Sequence, residues 1–104
     1  MSSTFGSYIA ARRKQLGISQ KELASMIMKE DDERPITPQY LNDIERDRRQ
    51  PTSDHIISQF SEALRIESDY LFYLSGILPS DVRDANIPRE DVVQMFSAFR
   101  RTAK

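Results

Sequence analysis

Helix start and stop signals recur at short intervals along this chain, so its helices must be short. Ser19 and Glu22 have the spacing of a capping box, in which each side chain satisfies a backbone N–H near the other. Thr37 precedes Pro38, a pair suited to the cap and the first residue of a helix. Gly17 is placed to end the helix before it. Between these signals apolar residues recur every three to four positions without alternating, which predicts an all-α fold.

The predicted elements are five short helices, a polar loop and a helical extension. The loop is Lys29 to Pro35, between the second and third helices. The expected bounds are about Thr4 to Leu16, Ser19 to about Met28, Thr37 to Arg46, a fourth helix after Ser53, Ser68 to Gly76, a turn at Pro79 to Val82, and a last helix from about Pro88 to Arg101.

Length and composition narrow the class of protein. A chain of 104 residues fits one compact domain with a short appendage. It has no cysteine, which excludes disulfides and thiolate metal sites and favours a reducing cytoplasm. No apolar run approaches the roughly 20 residues that span a bilayer, so no membrane contact is expected. With His55 as the one histidine and no glycine-rich phosphate loop, we predict neither an enzyme nor a metal or cofactor site. We expect His55 to lie in solvent.

The charges are nearly balanced but unevenly distributed. Fifteen basic and 16 acidic side chains give a formal net charge of −1, although a nucleic-acid binder is usually basic. Basic residues nevertheless cluster at Arg12 to Lys14 and at Arg46 to Arg49, while Glu30 to Glu33 is wholly acidic. The total charge is therefore weak evidence against DNA binding, whereas the local basic clusters favour it.

One charged residue points toward the predicted core. Arg13 falls within the stripe of Phe5, Ile9 and Leu16 on the first helix, and Glu45 lies at the edge of the inward arc of the third. A charge near a core needs a partner, so we expect Arg13 and Glu45 to form a bidentate ion pair; the alternative is that both reach solvent.

The opposite side of the third helix is polar. Gln39, Asn42, Asp43 and Arg46 are spaced i, i+3, i+4 and i+7, and therefore share one face. Such a face is either an ordinary solvated surface or a set of side chains that contacts base edges.

Two stretches together identify a resemblance. Arg13 to Ala24 reads RKQLGISQKELA, Tyr40 to Arg46 reads YLNDIER, and a proline follows at Pro51. This pattern resembles the Xre family of helix-turn-helix regulators, which are similar to the lambda and 434 repressors and Cro. The resemblance implies a lambda-repressor-like five-helix domain, here residues 1–76, with a C-terminal helical extension at 77–104. It also implies binding to double-stranded DNA, transcriptional control and, usually, a homodimer; repression is the expected form of control.

The resemblance also assigns roles to residues. The helix from about Pro38 to Arg46 would enter the major groove, where Gln39 and Asn42 suit adenine and Asp43 suits cytosine. Gln20 would contact a phosphate at the start of the second helix. The remaining predicted DNA-binding residues serve mainly for phosphate contact and positioning, with Tyr40 either packing or bonding a phosphate: Lys21, Thr37, Tyr40, Arg46, Arg48 and Arg49.

The chain departs from the family in two places. The acidic loop at Lys29 to Pro35 replaces a shorter turn and is either a solvated loop, a docking site for a partner or an element that restricts DNA binding. Asp47 stands where relatives commonly place glycine, and because aspartate tolerates left-handed angles we expect the turn to be kept.

The C-terminal extension leaves two alternatives open. Met95, Phe96 and Phe99 either cap the core or form a homodimer seam, which we favour because a dimer suits a palindromic operator. The extension also resembles one found in Xre regulators that a partner metallopeptidase inactivates. The rival function is therefore a protein-interaction module, such as an antitoxin or a protease-controlled repressor, in which DNA binding is secondary.

Overall fold

The computed structural model describes residues 3–51 and 53–103, so the predicted domain limits at residues 1 and 104 lie outside it. The all-α prediction is confirmed, because the described residues form helices and contain no strand beyond one isolated bridge. Within the described ranges there are seven helices: α1 (Phe5–Gln15), α2 (Gln20–Met26), α3 (Pro38–Glu45), α4 (Asp54–Leu64), α5 (Ser68–Ser75), α6 (Ser80–Arg83) and α7 (Arg89–Thr102). The turn expected near Pro79 is thus the single turn of helix α6.

Side-chain caps fix the helix starts where the sequence predicts them. Ser19 and Glu22 form the expected capping box at the start of α2, and Thr37 caps α3 with Pro38 at its first position. Thr4 caps α1. Each cap satisfies a backbone N–H that a helix leaves without a partner, and a cap typically contributes about 1 kcal/mol.

Helices α1 to α5 enclose one apolar core. Phe5 and Phe60 meet edge to face inside it, with ring centroids 5.9 Å apart. Phe72 of α5 is buried as well. The buried hydrophobic side chains that form the core are Phe5, Ile9, Leu23, Ala24, Ile27, Ile36, Leu41, Ile44, Ile57, Phe60, Leu64, Leu71 and Phe72. This core holds α2 and α3 against α1 and α4, and so fixes the orientation of the polar face of α3.

The acidic loop is attached to α4. The backbone folds back on itself, since Lys29 N donates to the carbonyl of Arg34 at 2.7 Å, and Met28 pairs with Pro35. Gln59 accepts from the Met28 N–H at 3.1 Å. His55 Nε2 lies 2.9 Å from the Met28 carbonyl. The expectation that His55 lies in solvent was therefore wrong: the residue is half-buried beside the Met28 carbonyl, just before the loop.

Helices α6 and α7 contribute no side chain to the core. Phe99 stacks on Tyr73 of α5, with ring centroids 6.4 Å apart and planes 11° apart. The exposed fractions of Met95, Phe96 and Phe99 are nevertheless 37%, 46% and 60%. The extension therefore contacts α5 through this aromatic stack and α4 through an ion pair, in which Arg83 Nη2 lies 3.1 Å from Asp54 Oδ2. It leaves an apolar face of α7 exposed. No helix among the described residues is long and apolar enough to cross a membrane.

Candidate nucleic-acid interface

The polar face of α3 is presented on the outside of the five-helix core. Leu41 and Ile44 are fully buried on the inner side of the helix. On the outer side Gln39 and Arg46 are exposed, whereas Asn42 and Asp43 are half-buried. Polar side chains with donors and acceptors thus project from a helix that its buried side holds in place.

Arg13 and Glu45 meet between α1 and α3. Arg13 Nε lies 2.7 Å from Glu45 Oε2, and Arg13 Nη2 lies 3.0 Å from Glu45 Oε1. The exposed fractions of the two side chains are 11% and 6%. The hydrogen bonds that Arg13 donates to Glu45 raise the pKa of Arg13 further above its already high ordinary value, although burial opposes this shift. Arg13 Nη1 also donates to the Ile18 carbonyl at 3.0 Å, so the guanidinium links α1, the turn before α2, and α3.

Gln20 connects the start of α2 to α3. Its Nε2 donates to Glu45 Oε1 at 2.9 Å and to Asn42 Oδ1 at 3.2 Å. Both amide hydrogens of Gln20 are therefore used within the protein. A phosphate accepts hydrogen bonds, so a Gln20 contact to phosphate falls to its backbone N–H at the helix N-terminus.

Asp43 lies among donors at the centre of the exposed face. Gln39 Nε2 donates to Asp43 Oδ1 at 3.1 Å, one helical turn away. Arg48 Nη1 and Arg49 Nε lie 3.7 Å and 3.9 Å from the Asp43 carboxylate. The exposed fractions of these two arginines are 60% and 58%. Ion pairs that are this exposed contribute little, so both arginines remain available to a stronger anion such as phosphate.

The other predicted contact residues surround α3. The Arg49 guanidinium stands 5.0 Å from the centre of the Tyr40 ring, a cation–π arrangement that packs the half-buried ring. The Thr37 hydroxyl accepts from the Tyr40 N–H at 3.0 Å and is thus engaged as a helix cap. Lys21 is exposed in the first turn of α2. Of the two α2 residues, Gln20 is the one whose side chain bonds α3, at Asn42 and Glu45.

The turn after α3 contains a contact that sequence reasoning missed. Asp47 adopts the expected left-handed conformation, with φ at 59°. Its carboxylate also accepts hydrogen bonds from the Gly6 N–H and the Thr4 hydroxyl at the start of α1. The sequence carries no signal for this partner, because the two segments lie more than 40 residues apart.

Helices α2 and α3 pack against each other, and α3 presents a polar face to the outside. This arrangement defines a helix-turn-helix protein. The chain belongs to the helix-turn-helix family, whose model matches residues 9–71. The resemblance to Xre regulators is thereby confirmed.

Named relatives and a solved structure agree with this assignment. An uncharacterized HTH-type transcriptional regulator of Mycobacterium tuberculosis, found in strains CDC 1551 / Oshkosh and ATCC 25618 / H37Rv, is 34% identical over 86 residues. The match covers 79% of this chain and 56% of the relative, so the chain spans just over half the length of these relatives. The crystal structure of the P22 c2 repressor protein in complex with the synthetic operator 9T, in the presence of Tl+, is 28% identical with a TM-score of 0.56. The structural match covers 67% of this chain and 94% of the P22 c2 repressor chain.

Proposed function

We propose that this protein is a sequence-specific DNA-binding transcriptional regulator that acts as a repressor, with α3 in the major groove. The observation that carries the proposal is the α3 face itself. Its buried side fixes the helix, and its outer side offers amides, a carboxylate and an arginine, the groups that pair with base edges. The family and the operator complex of the P22 c2 repressor support the same function.

The distribution of charge is compatible with DNA binding despite the acidic total. Arg46, Arg48 and Arg49 are exposed at the end of α3, where phosphates flanking a major groove would lie. The carboxylate of Asp43 would be repelled by phosphate if it stood alone. Arg48 and Arg49 lie within 4 Å of it and offset that charge. Asp43 can therefore approach the amino group of a cytosine at a moderate electrostatic cost.

We further propose that the protein binds its operator as a homodimer formed through α7. The exposed side chains of Met95, Phe96 and Phe99 share one side of this helix, and the exposed Val93 lies at its edge. The first turn of α7 carries Glu90 and Asp91, and the last turn carries Arg100 and Arg101. An antiparallel pair of α7 helices would bury the aromatic rings and bring opposite charges together at both ends. Two α3 helices about 34 Å apart then match inverted half-sites one turn of DNA apart.

The proposal is tested by comparing specific and random duplexes with two variants of α3. Gln39→Ala should lose discrimination at one base pair, by about 1–3 kcal/mol, and should bind random DNA much as before. Arg46→Ala should weaken binding to both duplexes and reduce the slope of log K against log salt by about one, because one phosphate contact is lost. Arg89→Ala, which removes an exposed arginine from the start of α7, is the matched control for charge. Equal effects of Gln39→Ala and Arg46→Ala on both duplexes would contradict the assigned roles.

A further inference from the structure

A chain of hydrogen bonds sets which end of the Asn42 amide faces a ligand. Arg13 has only donors and Glu45, as a carboxylate, has only acceptors. Gln20 lies 2.9 Å from Glu45, so the atom that Gln20 presents there must be its amide nitrogen. The second hydrogen of that nitrogen goes to Asn42 at 3.2 Å, so the atom of Asn42 that receives it must be the amide oxygen. The fixed charges of the Arg13–Glu45 pair therefore determine which atom donates and which accepts in each of these hydrogen bonds.

The Asn42 nitrogen is the end that remains available. Among residues 3–51 and 53–103, Asn42 Nδ2 donates to no acceptor of the protein. No unpartnered polar side-chain atom in this part of the chain is buried, so this half-buried residue exposes its amide nitrogen to solvent. Asn42 Oδ1, in contrast, is held toward α2. The group that Asn42 offers to a base is therefore an N–H donor.

Gln39 differs from Asn42 in this respect. Its Nε2 uses one hydrogen on Asp43 at 3.1 Å, which leaves the second hydrogen and the oxygen for a base. Gln39 can still form the paired donor and acceptor contact that adenine requires. Two amides on one helix face thus have different recognition properties, although their residue types alone suggest the same base.

We propose that Asn42 selects a keto base, guanine above all, and that Gln20 is the positioning residue that enforces this choice. Guanine presents two adjacent acceptors, N7 and O6, in the major groove, and thymine presents O4. Adenine keeps the N7 acceptor but, like cytosine, places an amino donor where guanine and thymine place these oxygens, and a donor does not bind a donor. Guanine therefore offers the Asn42 N–H two adjacent acceptors, adenine offers one acceptor beside a donor, and cytosine offers none. This inference rests on the proposed function, because it specifies one base of the operator that the α3 face contacts.

The test uses a preferred duplex obtained by selection, together with every single base-pair variant of it, at one salt concentration. Asn42→Ala identifies the base pair that Asn42 contacts, as the position where discrimination disappears. The wild-type protein should favour a keto base there by about tenfold over an amino-bearing base, the size of one good base contact. Asn42→Asp presents an acceptor in place of the donor, so the preference at this position should reverse. Gln39→Ala is the matched control and should remove the base preference at a different position of the duplex.

Two variants of Gln20 test its positioning role. Gln20→Ala releases the Asn42 amide, so the keto preference should fall several-fold toward equality, since the oxygen can then face the base. Gln20→Lys retains donors for both Glu45 and Asn42 and should keep the keto preference, although its added charge strengthens binding to all DNA. The ratio of the affinities for two duplexes cancels any such uniform change in binding.

The outcomes separate the two proposals. An amino-bearing base at the position controlled by Asn42, a keto preference that survives Asn42→Asp, or no position affected by Asn42→Ala would overturn this inference and leave sequence-specific binding intact. A wild-type protein without any sequence preference would contradict the proposed function and this inference together.

Discussion

Asp47 Oδ1 accepts a hydrogen bond from the Gly6 N–H at 3.0 Å, so a residue in the turn after α3 also caps α1. Asp47 Oδ2 accepts a second bond from the Thr4 hydroxyl at 2.6 Å. A carboxylate at a helix N-terminus satisfies an orphan donor and interacts favourably with the helix dipole. Together with the Arg13–Glu45 pair, this contact holds both ends of the α1–α3 junction, and therefore the orientation of α3.

Asp47→Ala should destabilise the protein more than Asp47→Asn. Alanine loses the cap, at about 1–2 kcal/mol, and is also disfavoured in the left-handed conformation by roughly 1–2 kcal/mol. Asparagine tolerates that conformation and keeps one acceptor, so the difference between the two variants isolates the backbone and hydrogen-bond terms. Urea unfolding of both variants measures this order. Equal free energies of unfolding for the two variants would contradict both the cap and the cost of the left-handed conformation.

Gly6→Ala should destabilise the protein through overpacking. An added Cβ would collide with the carbonyl oxygens of Ile44 and Glu45, which are backbone atoms and cannot rotate away. It would also lie 2.7 Å from Asp47 Oδ1. Overpacking of this kind typically costs 1–3 kcal/mol, which outweighs the higher helix propensity of alanine at about 1 kcal/mol. Thermal or urea unfolding is the measurement, with Ala11→Ser on the exposed side of α1 as control. A more stable Gly6→Ala variant would mean that α1 and α3 are farther apart than described.

Removing one member of the Arg13–Glu45 pair should destabilise the protein much more than replacing both members. Both side chains are nearly buried, so Arg13→Met alone should cost about 3–5 kcal/mol by leaving the Glu45 carboxylate unpaired. The double variant Arg13→Met with Glu45→Leu should recover most of that loss. A double-mutant cycle measures the coupling, and additive effects of the two changes would contradict it.

The same pair predicts how stability depends on alkaline pH. The pKa of Arg13 is higher in the folded protein than in the unfolded chain, so its contribution is complete below the unfolded value and is lost only as pH rises through the folded one. Because both values are very basic, raising the pH from about 7 to about 10 should not weaken this pair. The coupling energy from the double-mutant cycle should therefore stay constant over that range, and a steady decline would contradict the ionised pairing.

Charged substitutions on the apolar face of α7 should dissociate the proposed dimer. Phe96→Glu with Phe99→Glu would place unpaired carboxylates in the seam, while both side chains are exposed enough in one subunit for its fold to survive. Sedimentation should show the mass falling by half, with helix content retained by circular dichroism. Gln94→Glu adds charge at another exposed position of α7 and should remain dimeric. A wild-type monomer at the same concentration would contradict the seam and direct attention to a different protein partner on this face.

The sequence predicts the features of this protein that depend on neighbouring residues. The Ser19 and Thr37 caps and the left-handed turn at Asp47 follow from side chains within a few positions, and the structure contains each of them. The Arg13–Glu45 contact could be inferred because two charges near one core must be neutralised.

Other features depend on contacts between distant segments and could not be predicted in this way. The bonds from Gln20 to Asn42 and from Asp47 to Gly6 join helices whose relative placement is set by the whole core. The contact between His55 and the Met28 carbonyl, which follows α2, arises only once α2 and α4 are packed. The uncovered face of α7 is a further example, because an amphipathic pattern shows that a helix has an apolar side but not what covers it.

The central claim is that α3 contacts specific bases, and selection from a pool of random duplexes tests it most directly. The purified protein is bound at moderate salt, and the retained DNA is sequenced over successive rounds. We predict an enriched motif with two inverted half-sites about one helical turn apart, and the loss of one base preference when Gln39 is replaced by alanine. A retained pool that stays random, or an enriched motif that Gln39→Ala and Asn42→Ala leave unchanged, would contradict the claim.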